Sequence, residues 1–449
     1  MPKNSEQELK YILRLLTNRD SDNVGDQIIE ACDIAILSTI MQNLGFESNQ
    51  YKIISNAAGI ISKKYLQTQD QSLLDRAKKR IKNSHILIFG GAPLFNYGYQ
   101  NFYLRTIKSL EIAQQYNTPV IFSSIGIEEY NEENEKCQQL KASINSSIVK
   151  QITTRDDLSS LEQYQDNKNL KIGKVADPAV FTNLVFKNFL SPPKEEPMIG
   201  LAVVRHRIFE DNGINFPLHE QIRFWKETRE KLLDKGFKCQ FFTTGHFSDE
   251  AFLQTLQKEL SLSPKECVYN MNYPEKLVQT IYSYKAIIAF RLHANITAYS
   301  LGIPAIGLTW NQKVPLFYDA INYPDRVFGV EDWNWDTIVA ALEKAVHNGV
   351  NYDQKYAMTV YNTLFDSIKD ILDPGNSAHP FSYDELLQIM EPFLGTSDKE
   401  KQKKLTRKFK RAYENYNKLD SKLEELKEKT KRNPINSIKR PLKRLFRSC

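Results

Sequence analysis

Twice along this chain, short apolar runs alternate with longer stretches of helical spacing, and that alternation admits few folds. In the first half YKIIS (51–55), HILIFGG (85–91), TPVIFSSIG (118–126) and KQITTRD (150–156) read as short buried strands. The stretches 70–83, 103–116 and 132–148 between them read as helices. NFLSPPKEEPM (188–198), with its prolines and charges, marks a linker. The pattern then restarts. MIGLAVVRH (198–206), KCQFFTTG (238–245), ECVYNM (266–271), AIIAF (286–290) and PAIGLTW (304–310) read as strands. Helices are expected at 218–235, 249–260, 274–284 and 294–301. Strands alternating with helices give a parallel sheet covered on both faces. The chain is therefore expected to be α/β, with two Rossmann-like domains at 1–190 and 197–375. A ligand would lie in the cleft between them, at the carboxyl ends of the strands. Residues 353–394 look helical, with 376–396 as a bracing helix.

The remaining segment, 397–449, differs in charge. It carries 19 Lys+Arg against 7 Asp+Glu, a net of +12, while the whole chain carries +6. A mildly acidic body thus bears a strongly basic tail. Leu405, Phe409, Tyr413, Tyr416, Leu419, Leu423 and Leu426 recur at spacings of three or four, which predicts one amphipathic helix or a short coiled coil over 398–430. Beyond it, 431–449 holds seven Lys+Arg and no acid, with apolar residues near helical spacing. That reads either as an anchor on an anionic membrane surface or as a solubilising tail. No nucleic-acid fold accompanies the basic run, so no nucleic acid is expected as a partner. The polar start of the chain lacks the apolar core of a signal peptide. No run reaches the roughly 20 apolar residues of a spanning helix. A cytoplasmic protein is expected, peripheral on the inner face of the plasma membrane if the tail binds there. The five cysteines are scattered and odd in number, which fits a reducing compartment and argues against disulfides.

Several loops could carry chemistry. Asn23-Val24-Gly25-Asp26 precedes a helix expected near Gln27, where Gly25 permits a tight turn and helix amides could hold an anion. An ordinary helix start with Asp26 as its N-cap reads the same residues. Gly90 and Gly91 follow a strand and could admit a phosphate or sugar close to the backbone, or serve tight packing. Arg291-Leu292-His293 follows the strand 286–290. The arginine could hold a carboxylate or phosphate, and the histidine could act as acid or base. A bracing ion pair and a helix cap are the alternative. Arg205, His206 and Lys313 fall at neighbouring strand ends and could add charge for an anionic ligand, and His246 is a further candidate. No grouping has metal-site spacing, so no metal is expected. No dinucleotide fingerprint or P-loop is present.

Asn-x-Gly-Asp near the start, strand-Gly-Gly, ITTRDDLSSLEQY (152–164), VADPAVF (175–181) and RLHANITAYSLGIPAIGLTWNQK (291–313) together resemble the polysaccharide pyruvyltransferase family over about 20–320. The resemblance implies a GT-B-like architecture and a bacterial transferase of capsule or exopolysaccharide synthesis. It implies phosphoenolpyruvate as co-substrate, no other cofactor, and a glycan or lipid-linked oligosaccharide as acceptor. Carried over by position, Arg291 and His293 match the donor-binding and catalytic pair, and Arg205 a further donor-binding arginine. Many relatives have a third glycine where this chain has Ala92. Two alternatives stand beside this one. One is a GT-B glycosyltransferase using a nucleotide sugar. The other is a non-catalytic, membrane-tethered scaffold in glycan assembly. The 398–430 helix could also pair with its own copy as a homo-oligomer.

Overall fold

The computed structural model describes residues 9–98, 102–191 and 197–432. Its first sheet has six parallel strands: β1 (Tyr11–Thr17), β2 (Tyr51–Ala57), β3 (Ile86–Gly90), β4 (Val120–Ile125), β5 (Val149–Thr154) and β6 (Lys171–Lys174), in the order β2-β1-β3-β4-β5-β6. The second has five: β7 (Met198–Ala202), β8 (Lys238–Phe242), β9 (Ala286–Ala289), β10 (Ala305–Leu308) and β11 (Val327–Phe328), in the order β11-β10-β9-β7-β8, again parallel. This is the expected pair of Rossmann-like units in a GT-B-like arrangement. Their central strands are fully buried, as a sheet covered on both faces requires.

Three strands escape the sequence pattern. In β1 a charge interrupts the apolar run, because Arg14 is buried. Its Nε donates to Ser84 Oγ at 2.8 Å and its Nη1 to Asn56 Oδ1 at 2.6 Å. The edge strand β6 is short and lysine-flanked, the composition that protects a sheet edge. The third, β11, has only two residues. One expected strand is absent. The stretch 266–271 contributes a single bridge between Phe241 and Cys267, and the left-handed Asn270 then ends any extended run.

The two units share a core. The helix Gly25–Asn43, the segment 178–186 and the helix Leu292–Ser300 pack into one hydrophobic cluster spanning both halves. Ser300 Oγ donates to Val180 O at 2.6 Å and accepts from Asn183 N at 3.0 Å. The chain then crosses back. The helix Gln354–Leu372 lies against the first sheet, where Tyr361 accepts from Asn43 at 2.9 Å and Thr359 accepts from Ala176 N at 2.9 Å. Within 376–396 the helical part is Tyr383–Ile389 alone. Cys32, Cys137, Cys239 and Cys267 are free and buried. Cys449 lies outside the described residues.

The basic tail begins as a helix, Asp398–Arg432. Its first turns lie across both units. Lys404 donates to Gln27 at 2.6 Å, and Arg411 pairs with Asp22 at 2.7 Å. Arg19 meets Glu400, and Arg407 meets Asp20. On the other unit, Lys408 reaches Glu250 at 2.6 Å and Asn272 at 2.9 Å. Part of the tail's positive charge is thereby spent on the body's own acids. Of the run 431–449, read as an anchor or a solubilising tail, residues 433–449 fall outside the described residues. Among the described residues no helix is long and apolar enough to cross a membrane.

Candidate active site

The carboxyl ends of the two sheets face each other. Between them lies a cleft of about 230 Å³, lined from the first unit by Asn18, Asn23, Asp26 and Arg155 and from the second by His246, Arg291, His293 and Lys313, among others. Each follows a strand: β1 leads to Asn18, β5 to Arg155, β8 to His246, β9 to Arg291 and β10 to Lys313. This is where an open parallel sheet binds ligands.

His293 sits in the first turn of the helix Leu292–Ser300 and is 7% exposed. Its Nδ1 lies 3.5 Å from Asn23 Nδ2, across the cleft. Its Nε2 has no hydrogen-bond partner and lies 3.8 Å from Asp177 Oδ2. Burial, then the repulsion of Arg155, Lys313 and Arg291, holds its pKa well below the ordinary histidine value. It is neutral near pH 7 and able to accept a proton.

Asp26 faces it from the other unit. The helix begins earlier than the sequence suggests, at Gly25, with Val24 as N-cap, so Asp26 is a first-turn residue and not the cap. Its carboxylate accepts from Asn18 Nδ2 at 3.0 Å. Burial raises its pKa to about 6, opposed by the Ser21 hydrogen bond and by Arg155. Two titratable groups pushed in opposite directions across one cleft make a donor and an acceptor of protons.

The cations are held from behind by carboxylates. Asp249 is fully buried and takes Arg291 in a fork, Nε at 3.0 Å and Nη2 at 2.7 Å. That pair leaves Nη1 outside it and fixes the guanidinium plane. Arg155, 7% exposed, pairs with Asp177, while its Nε makes no hydrogen bond and stands 4.0 Å from Asp156 Oδ1. Lys313 Nζ stands 3.9 Å from Asp156. His246 bonds Ser248 Oγ at 3.0 Å, and burial lowers its pKa.

The other candidates do not line this cleft, although the Arg205 charge acts on the His246 that does. Arg205 gives its backbone amide to Asp249 at 2.9 Å and its guanidinium to Asp211 at 2.6 Å. His206 packs its ring near Phe252. Gly90 and Gly91 turn toward the helix Gly25–Asn43. A Cβ on Gly90 would meet Asp33 Oδ2 at 2.2 Å, and one on Gly91 would meet Ile29 Cγ2 at 2.3 Å. Here the glycines serve the close packing of a helix on a strand end.

Arg155, Asp177 and Asp249 were not singled out by residue type. Arg155 and Asp177 stand in the Thr-Arg-Asp and Asp-Pro segments, directly after strands, and that position was the available signal. Asp249 reads from sequence as an ordinary first-turn acid of the helix Phe247–Glu259.

A family model described as polysaccharide pyruvyl transferase matches residues 23–312, which contain Asn23, Asp26, Arg155, His246, Arg291 and His293 of the cleft, while Asn18 and Lys313 fall just outside it. No curated protein matches the chain. Among solved structures, a putative UDP-N-acetylglucosamine 2-epimerase from Listeria monocytogenes is similar at TM-score 0.51 and 11% identity, covering 83% of this chain and 99% of that one. A second UDP-N-acetylglucosamine 2-epimerase gives TM-score 0.51 at 12% identity, covering 84% and 99%. At such identity the likeness is one of fold.

Proposed function

Since the chain belongs to the polysaccharide pyruvyl transferase family, we propose that it moves the pyruvyl group of phosphoenolpyruvate onto two hydroxyls of a sugar, in a cell-surface polysaccharide or its lipid-linked precursor. The observation that carries this reading is the convergence of Arg155, Arg291 and Lys313 on one cleft beside a neutral His293. A small ligand with a carboxylate and a phosphate suits three cations whose directions are fixed in advance.

The residues divide the work as follows. Asp26 gives its proton to the methylene carbon of the donor, and the neighbouring carbon becomes oxocarbenium-like. A sugar hydroxyl attacks that carbon, and its proton passes to His293. The proton on His293 returns to the phosphate oxygen as the carbon–oxygen bond to phosphate breaks. A second hydroxyl attacks the same carbon and loses its proton to the Asp26 carboxylate, which closes the ketal and restores the acid. Arg155, Arg291 and Lys313 stabilise the departing phosphate. A positioned acid or base of this kind contributes roughly a hundredfold to ten-thousandfold in rate.

Calorimetric titration with phosphoenolpyruvate tests the reading, with Lys313→Ala and His293→Ala beside the wild type. Saturable binding is expected in the wild type and in His293→Ala, and much weaker binding in Lys313→Ala. Phosphate release with a glycan acceptor should fall about a hundredfold or more in His293→Ala. A wild type that neither binds nor consumes phosphoenolpyruvate would overturn the donor assignment. Near-normal turnover in His293→Ala would overturn its role.

A further inference from the structure

The two ring nitrogens of His293 have neighbours of opposite kind. Asn23 faces the ring with one end of its carboxamide already engaged, because its Oδ1 accepts from Gly25 N at 3.3 Å. The end left for the histidine is the donating one, and Asn23 Nδ2 stands 3.5 Å from His293 Nδ1. A ring nitrogen that receives an N–H offers it a lone pair. The neutral ring therefore carries its proton on Nε2.

Behind the ring, Nε2 lies 3.8 Å from Asp177 Oδ2. Asp177 is 1% exposed and caps the turn Pro178–Phe181, where its Oδ1 accepts from Ala179 N at 2.8 Å. That bond leaves Oδ2 for Arg155 and for His293. A separation of 3.8 Å is too long for a hydrogen bond from the neutral ring. It is short enough for an ion pair once the ring is charged. Arg155, Lys313 and Arg291 all oppose a charge on His293. Asp177 supplies negative charge within reach of Nε2, on the side away from Asn23.

We propose that Nδ1 is the atom of His293 that takes the sugar proton, and that Asn23 and Asp177 are positioning residues that prepare the ring for it. Asn23 keeps Nδ1 unprotonated in the resting protein, and Asp177 stabilises the charged ring through Nε2. As the hydroxyl attacks, its O–H bond breaks and an Nδ1–H bond forms, while the electron pair stays on the oxygen that joins the donor carbon. The role in turnover rests on the proposed pyruvyl transfer, but the tautomer does not.

Nitrogen NMR of the full chain labelled with 15N-histidine reads the tautomer near pH 7 without any substrate. The chain has seven histidines, and the signals missing from a His293→Gln sample identify the ring. An unprotonated Nδ1 with a protonated Nε2 is expected. The reverse tautomer, or a ring protonated at both nitrogens, would overturn the proposal. Asn23→Asp places a carboxylate against Nδ1 and should draw a second proton onto the ring; an unchanged ring would take the role from Asn23. Asp177→Asn removes the charge and still offers Arg155 an oxygen. Its kcat should fall about a hundredfold or more, with phosphoenolpyruvate binding retained in calorimetry. Unchanged kcat would overturn the role of Asp177, and so would kcat and donor binding lost together, which a merely structural part predicts. The wild-type spectrum decides the tautomer even where a variant does not fold. A wild type that shows this tautomer and does not consume phosphoenolpyruvate would overturn the donor assignment and leave the ring assignment standing.

Discussion

A Cβ placed on Gly25 would lie 2.4 Å from the Cβ of His293. The two residues begin two helices, one on each unit, and the missing side chain lets those helix starts touch. Real Cβ atoms do not approach so closely, and the obstacle is the root of the histidine side chain, which cannot swing away. Gly25 is therefore part of the seating of His293.

The first prediction concerns that contact. Gly25→Ala should destabilise the protein by about 1–3 kcal/mol, the usual cost of overpacking. It should lower turnover by more than this loss implies, because the displaced group is His293. Thermal unfolding and phosphate release, measured side by side, check it. An alanine variant with unchanged turnover would show the contact to be packing alone.

The second concerns pH. The Asp26 pKa is raised from 3.8 to about 6 in the folded chain, so folding favours the protonated acid. Turnover at saturating donor should accordingly fall as pH rises through about 6. The stability linked to the same group is fully present below about pH 4 and is lost as pH rises through about 6, on the order of 3 kcal/mol in all. Asp26→Asn should remove the alkaline limb from the rate profile and weaken that slope in stability. A profile with the same alkaline limb in the variant would take the proton-donor role from Asp26.

The third concerns the ion pair behind the cleft. Asp249 is fully buried and bonds both the Arg291 fork and the Arg205 amide. Asp249→Ala strips a buried charge of its partner, a change that typically costs 3–5 kcal/mol. It should also weaken donor binding, because Arg291 loses its fixed plane. Arg291→Lys should keep the fold better than Asp249→Ala and still bind the donor more weakly, since a lysine cannot form the fork. Chemical denaturation with calorimetric titration measures both effects.

Much of this molecule is legible in its sequence, for physical reasons that also mark where legibility ends. Buried parallel strands are continuous apolar runs, so β3, β4, β9 and β10 stand out. Arg14 hides β1, because its charge is neutralised only by side chains distant in sequence, at Asn56 and Ser84. Arg291, His293 and Lys313 could be found because their residue types and strand-end positions coincide. Gly90 and Gly91 show the opposite case. The same local pattern serves ligand approach or helix packing, and the deciding neighbours, Asp33 and Ile29, belong to another element. Asp249 could not be distinguished from any first-turn acid until Arg291 was placed against it.

The C-terminal helix holds Asp22 through Arg411, one residue from the Asn23 that faces His293, and holds Glu250 through Lys408, one residue from the Asp249 that orients Arg291. A single rod thus touches the neighbours of both halves of the reaction centre. By thermodynamic reciprocity, any occupant of the cleft that shifts those two loops changes how firmly the rod is held, and any load on the rod changes the affinity of the cleft by the same factor.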